Sequence, residues 1–300
     1  MASDSDNRVL LTGATGFIGQ AVVSLLLAQG AEVLALTTDP KRVRDRWGVE
    51  SVDVINETES AMREKVGLFR PSILVHLAWS ALPDYSPLAC LRNVESTARV
   101  IRTALESGVS RFLGAGSCWE YGDRTGRLEE SMATTPTTMF AQAKACIREL
   151  MATTASDTGT EARWGRIFYA YGTGQRKTSL VPMTIRAWQE GAAPELRDTQ
   201  SAIDLIHVDD VASGLVAMAL QDGPSGTFNL GSGHATRVAD VVEIVSAIVS
   251  GEELTPSLTA STDKEASWAD ISKMNDAFGW QPAITLSDGV RMMLDEGAKR

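Results

Sequence analysis

Cysteine is scarce in this sequence. Cys90, Cys118 and Cys146 are the only three in 300 residues, too few for a disulfide framework, and their spacing matches no usual zinc pattern. Each reads as a reduced thiol. Histidine is equally rare, and His76, His207 and His234 are scattered too widely to suggest a metal or catalytic cluster, so they read as structural and no metal is expected. Positive charge is short as well: 28 Lys and Arg stand against 38 Asp and Glu, a net charge of -10 with no basic run. That balance lacks the electrostatic footprint of a nucleic-acid or anionic-membrane surface. No stretch approaches the ~20 apolar residues of a membrane span, and the opening MASDSDNRVLLTG has no basic segment leading into an apolar core. The expectation is a cytoplasmic protein that acts on a small molecule, with no nucleic-acid or membrane partner.

What is present is hydrophobic content of 44%, enough for a substantial core. Short apolar runs alternate with longer amphipathic ones: RVLLT, FIGQAVVSLLLAQG, AEVLAL, then a polar helix from Lys41. Further strands are predicted at Val52 to Ile55, Ile73 to Leu77 and Arg111 to Ala115. This alternation predicts an α/β fold with a doubly wound parallel sheet covered on both faces. After about residue 165 the rhythm changes, with the Gly-rich YGTGQRKTS and a Pro/Ala/Glu-rich stretch at Ala192 to Arg197. The predicted division is a Rossmann domain over about 1–170, taking in about 204–232, and a smaller substrate-binding lobe over 171–300.

The segment VLLTGATGFIGQAVVSLL sets Gly13, Gly16 and Gly19 between an apolar strand and an amphipathic helix. A tight turn needs Gly13, close approach of backbone to a pyrophosphate favours Gly16, and close helix packing favours Gly19. The backbone from Thr15 through Phe17 and Ile18 to Gly19 then presents N–H groups to the anion. Choice between the two nicotinamide cofactors is read at the end of the second strand, where an acidic side chain would favour NAD. Here Thr37 and Thr38 are neutral and Lys41 and Arg42 follow closely, which favours NADP(H). Asp39 between them leaves NAD(H) open.

These motifs, with LVHLAWSA (His76, Leu77, Ala78, Trp79), Asn93, GAGSCWEYG, GRIFYAYGTGQ, DLIHVDDVA, GTFNLGSG and FGWQPAITLSDGV in order, resemble the extended short-chain dehydrogenase/reductases. That family includes nucleotide-sugar epimerases, dehydratases and 4-ketoreductases. The resemblance implies that Leu77, Ala78 and Trp79 wall the cofactor site and that the nicotinamide exchanges hydride with a sugar carbon. A tyrosine exchanges the proton in this family. Its unperturbed pKa near ~10 is too high for a base at neutral pH, so a lysine four residues on supplies positive charge and a serine orients the carbonyl oxygen. Ser117 and Lys144 match two of these positions, Lys144 also as a cofactor ligand. At the third stands Phe140.

Phenylalanine has no proton to exchange. Three explanations stand: a variant inactivated by exchange of a tyrosine, a natural enzyme whose proton comes from Ser117, Tyr85, Tyr169, Tyr171, Cys118 or water, or a protein that binds cofactor without turning it over. Dehydratases of this kind carry an Asp-Glu pair directly after the serine, where this chain has Cys118 and Trp119, so elimination of water loses its acid and base. Glu120, one residue further along a presumed strand, reads as structural and facing away. The arginine that grips the substrate diphosphate in many relatives is Ile203 here, and Tyr169 replaces an asparagine. Arg176, Lys177, Arg186 and Arg197 could hold phosphate instead. Asp209 and Asp210 read as a helix cap.

The expected activity is NAD(P)H-dependent reduction of a keto group, at C4 of a nucleotide-linked keto-deoxy sugar, with Cys118, Trp119 and Tyr169 beside the substrate. A nucleotide-sugar epimerase and a non-catalytic dinucleotide sensor are the alternatives. Apolar faces on the helices holding Asn93 to Glu106 and Phe140 to Ala152 imply, by the same resemblance, a homodimer.

Overall fold

The computed structural model describes residues 7–54, 56, 58–192, 194, 196, 198–251 and 266–297. Ile55 and Arg197 lie outside the described residues. The first half runs β1 (Arg8–Thr12), α1 (Phe17–Ala28), β2 (Glu32–Thr37), α2 (Pro40–Trp47), β3 (Glu50–Asp53), α3 (Glu59–Phe69), β4 (Ile73–His76), α4 (Pro87–Glu106) and β5 (Arg111–Ser117). A 3₁₀ turn, Cys118–Tyr121, leads to β6 (Gly126–Leu128), α5 (Met139–Thr158), β7 (Glu161–Ile167) and β8 (Tyr169–Tyr171). Then follow α6 (Leu180–Gln189), β9 (Ala202–Ile203), β10 (Leu205–His207), α7 (Val208–Leu220), β11 (Gly226–Leu230) and β12 (Thr236–Arg237). The chain continues through α8 (Val238–Ser250), β13 (Ser267–Ala269), α9 (Ser272–Phe278) and α10 (Leu286–Gly297).

Alternation along β1 builds two cores. Val9 and Leu11 join one with Val22 and Leu26 of α1 and Leu215 of α7, while Leu10 between them joins the other with Leu34, Leu74, Ile101 of α4 and Ile147 of α5. Successive strand side chains point to opposite faces, so a continuous apolar run is what a sheet covered on both sides demands. Leu10 is fully buried, which contributes about 1.5–3 kcal/mol.

The seven strands of the main sheet are ordered β11-β7-β5-β4-β1-β2-β3, all pairings being parallel. The chain leaves β1 toward β2 and β3, then crosses back to β4 and β5. Strand order therefore reverses between β1 and β4, and a crevice opens outside the carboxyl ends of strands at such a point. Gly13, Leu77 and Ser117 all sit at those ends. A second sheet, β12-β9-β13-β6, and the pair β10-β8 complete the fold. In the former, β6 pairs in parallel with β13, setting Arg127 opposite Trp268, so a loop segment of the first half is fastened to a strand from the last third of the chain.

Candidate functional site

At the crevice, Gly13 has φ +81, and a Cβ there would lie 2.8 Å from the backbone nitrogen of Ala78. Only glycine relieves both constraints. A Cβ at Gly19 would overlap the Gly13 carbonyl oxygen, so the third glycine serves contact between helix and turn. Gly16 donates its N–H to the Gly13 oxygen at 3.0 Å and caps α1 without a side-chain hydrogen bond; the first turn of α1 carries no acidic residue. The opening N–H groups of α1 thus face a space without a side-chain acceptor, which suits an anion.

Behind this turn runs a hydrogen-bond relay. The Ala78 N–H donates to Thr12 Oγ1 at 3.1 Å, and Thr12 Oγ1 lies 2.8 Å from His76 Nδ1. His76 Nε2 lies 2.9 Å from Thr97 Oγ1, which donates onward to the Asn93 carbonyl at 2.7 Å. Because the Thr97 proton is committed to Asn93, His76 must donate from Nε2 and accept at Nδ1; this tautomer is assigned from the network. Burial, helped by Lys144, lowers the His76 pKa to about 3, so the ring is neutral and structural. Asn93 also accepts from the Ser80 N–H at 2.8 Å and donates to the Ala89 carbonyl at 2.8 Å, fixing the start of the loop between β4 and α4.

Ser117 ends β5, and its Oγ accepts the Trp119 N–H at 3.2 Å and is in hydrogen-bond reach of the Cys118 thiol. Thr138 caps α5 by accepting from the Ala141 N–H, and the helix then sets Phe140 and Lys144 four residues apart on one face. Lys144 Nζ is buried, donates to the Ala115 carbonyl at 2.8 Å and lies 4.6 Å from the Trp79 ring centroid. Burial pulls its pKa down to about 8, against an opposing pull from Glu120.

Phe140 is surrounded by aromatic rings. Its centroid lies 4.8 Å from Trp79, 5.1 Å from Tyr85 and 5.6 Å from Trp119, all edge to face. Each such pair contributes about 0.5–1.5 kcal/mol. Trp119 Nε1 donates to Tyr169 Oη at 3.3 Å, which extends the wall. The buried Trp79 Nε1 has no hydrogen-bond partner among the described residues. An orphaned buried donor beside a glycine cradle and a buried ammonium fits a site built to receive a polar molecule.

The presumed strand through Glu120 is corrected: β5 ends at Ser117, and Glu120 is the third residue of the 3₁₀ turn that Ser117 caps. Its carboxylate is fully buried and accepts from the Ser117 N–H at 3.0 Å, Trp164 Nε1 at 2.9 Å and Arg166 Nε at 3.2 Å. The Arg166 guanidinium in turn stacks 4.5 Å from the Tyr121 ring. A Cβ at Gly116 would overlap both Trp164 and Glu120, so the second glycine of GAGS makes room for this network. Sequence reasoning has Arg166 only as part of GRIFYAYGTGQ, with no role, and misses Trp164, since nothing local marks a β7 residue as the floor of the site.

Cys118 belongs to the buried cluster with Tyr121 and Phe168, and burial raises its thiol to about 12, an unreactive state. Thr37 is buried at the end of β2 while Thr38, Lys41 and Arg42 are exposed. Asp39 caps α2 by accepting from the Arg42 N–H at 3.0 Å. Arg176 and Lys177 are exposed in the loop before α6, and Arg186 is exposed with Glu190 4.0 Å away. Asp210 does not cap α7 as the sequence suggests. His207 does so, accepting from the Asp209 N–H at 3.3 Å, while the Asp210 carboxylate accepts from Ala283 at 3.0 Å and Ile284 at 2.9 Å, tying the C-terminal segment to the main sheet's covering helix.

Residues 9–231 match the family described as the NAD dependent epimerase/dehydratase family. The chain is 25% identical to UDP-glucuronic acid decarboxylase 1 of Arabidopsis thaliana, over 98% of this chain and 70% of that protein. It is also 25% identical to dTDP-6-deoxy-L-talose 4-dehydrogenase (NAD(+)) of Aggregatibacter actinomycetemcomitans, over 79% of this chain and 88% of that one. Among solved structures, UDP-glucose 4-epimerase of Thermus thermophilus in complex with NAD superimposes with a TM-score of 0.80 at 25% identity, covering 96% of this chain and 98% of the other.

Proposed function

The chain belongs to the NAD dependent epimerase/dehydratase family, and from that premise we propose that it reduces a keto group of a nucleotide-linked deoxy sugar, at C4, using NADPH. The observation that carries this reading is the occupancy of the positions around Ser117. The Ser117 hydroxyl and the buried Lys144 ammonium are present, whereas Cys118 is an inert thiol and Trp119 an indole. Elimination of water needs an acid and a base there. Epimerisation needs one group to take a proton and return it, a role that Phe140 leaves vacant at the family's usual position. Reduction asks for a single donated proton.

Gly13, Thr15, Gly16, Phe17, Ile18 and Gly19 would hold the dinucleotide diphosphate on their backbone, with Leu77, Ala78 and Trp79 along its side. When bound, the reduced nicotinamide supplies hydride. Ser117 would donate its hydroxyl proton in a hydrogen bond to the substrate carbonyl oxygen, polarising it, and the Lys144 ammonium would stabilise the negative charge that develops. The preference for NADPH is supported by Lys41 and Arg42, which stand exposed, while the Asp39 carboxylate is engaged in capping α2. Trp119 and Tyr169 would line the sugar, with Arg176, Lys177 and Arg186 as phosphate ligands.

Exposed Leu88 and Leu91 on α4 and Leu150 on α5 support pairing of two copies through these helices. The decisive assay incubates the protein with NADPH or NADH and a panel of dTDP- and UDP-linked 4-keto-6-deoxy sugars, following nicotinamide absorbance and product NMR. Reduction of a panel member with net cofactor consumption supports the reading. Isomerisation of a nucleotide sugar without consumption would replace it with an epimerase, and cofactor binding without turnover, persisting in Phe140→Tyr, with a sensor.

A further inference from the structure

Reduction leaves one requirement unmet. A proton must reach the substrate oxygen, and Phe140 cannot give it. The hydroxyl and thiol groups in reach are few. Cys118 is buried in its own cluster. The Tyr171 hydroxyl donates to the Thr285 carbonyl at 3.2 Å, and the ring packs 5.3 Å from His207, away from the aromatic box. Tyr169 touches that box only through the Trp119 indole, whose N–H its oxygen accepts. Ser117 is an aliphatic alcohol already assigned to polarise the carbonyl.

Tyr85 differs from all of these. Its ring meets Phe140 directly at 5.1 Å and Trp119 at 5.8 Å, and the residue is 36% exposed, so the site it borders is open to solvent. Its loop is anchored at both ends. The Ser80 N–H and hydroxyl are held by Asn93 Oδ1, and the Ser86 N–H by Asp84 Oδ1 at 2.8 Å. Between them the Asp84 N–H closes a turn on the Ala81 carbonyl at 2.7 Å.

We propose that Tyr85 is the proton donor, placed over the phenylalanine that occupies the family's usual donor position; this rests on the reductase reading above. The carbonyl carbon accepts the hydride as a new C–H bond, while the nicotinamide that supplied it becomes oxidised. The π electrons of the C=O bond move onto oxygen, and that oxygen takes the proton as the Tyr85 O–H bond breaks. Water then returns a proton to the phenolate. Donation from a positioned acid is worth roughly 10²–10⁴-fold.

The test compares the wild type, Tyr85→Phe, Phe140→Tyr and the double variant in the keto-sugar assay. Binding of NADPH and of the reduced product is followed in parallel by tryptophan fluorescence. The expected result is a kcat loss of roughly 100-fold or more in Tyr85→Phe with both bindings retained, and recovery in the double variant, where Phe140→Tyr restores a phenol. Wild-type kcat in Tyr85→Phe, or a comparable loss in Tyr169→Phe instead, overturns the assignment. Turnover in Phe140→Tyr alone, with an inert wild type, overturns it too but leaves the reductase reading standing. Absence of turnover in every form despite cofactor binding overturns that reading and the donor with it.

Discussion

The Lys144 ammonium lies 4.6 Å from the centre of the Trp79 ring, held there by the Ala115 carbonyl. Its pKa of about 8 has two consequences of opposite sign. As pH rises through about 8 the cation is lost, and the rate of the proposed reduction is expected to fall with it. Stability moves the other way: the unfolded chain holds this proton up to its ordinary value of 10.5, so between about 8 and 10.5 the folded state gains. Lys144→Met removes the fall above pH 8 and lowers kcat roughly 100-fold; a pH-rate profile of both proteins checks this.

His76 titrates in the acid range. The unfolded chain takes up its proton near 6.5 and the folded chain only near 3, so stability is lost as pH falls from 6.5 toward 3. Urea melts at successive pH values are expected to show this loss in the wild type and a shallower one in His76→Gln.

Glu120→Ala strands the Arg166 guanidinium without its buried partner and is expected to destabilise the fold by about 3–5 kcal/mol. Chemical denaturation measures it. A fully stable Glu120→Gln protein that loses turnover selectively would instead make Glu120 a participant in the chemistry.

Removing the cations at the end of β2, as Lys41→Ala with Arg42→Ala, is expected to raise KM for NADPH by roughly 10-fold or more while sparing NADH, since one or two charged contacts are lost. An unchanged ratio of the two specificity constants would count against a phosphate-reading role.

Much of this could be read along the chain, because the information there is local and periodic. Val9 to Leu11 announce a strand buried on both faces, and Gly13 and Gly19 announce a crowded turn. The predicted strands at Ile73 and Arg111 begin where β4 and β5 begin. What escapes is long-range. Glu120 is misplaced on a strand because the chain tightens into a turn directly after Ser117. Trp164 and Arg166 reach it from β7, more than forty residues on, and the contact of Tyr85 with Phe140 joins a loop to a helix that no spacing rule connects. The acidic pair at Asp209 and Asp210 looks like a cap locally, yet Asp210 is drawn off by Ala283 and Ile284.

The relay from Ala78 through Thr12, His76 and Thr97 to Asn93 has a direction. Every hydroxyl in it passes one proton forward and receives one from behind, so no member can turn round alone. Asn93 is also the anchor for Ser80, where the Tyr85 loop begins. The crevice wall at Ala78 and the loop over Phe140 are therefore geared together, and a change as remote as Thr97→Val, in contact with neither, would be felt at both.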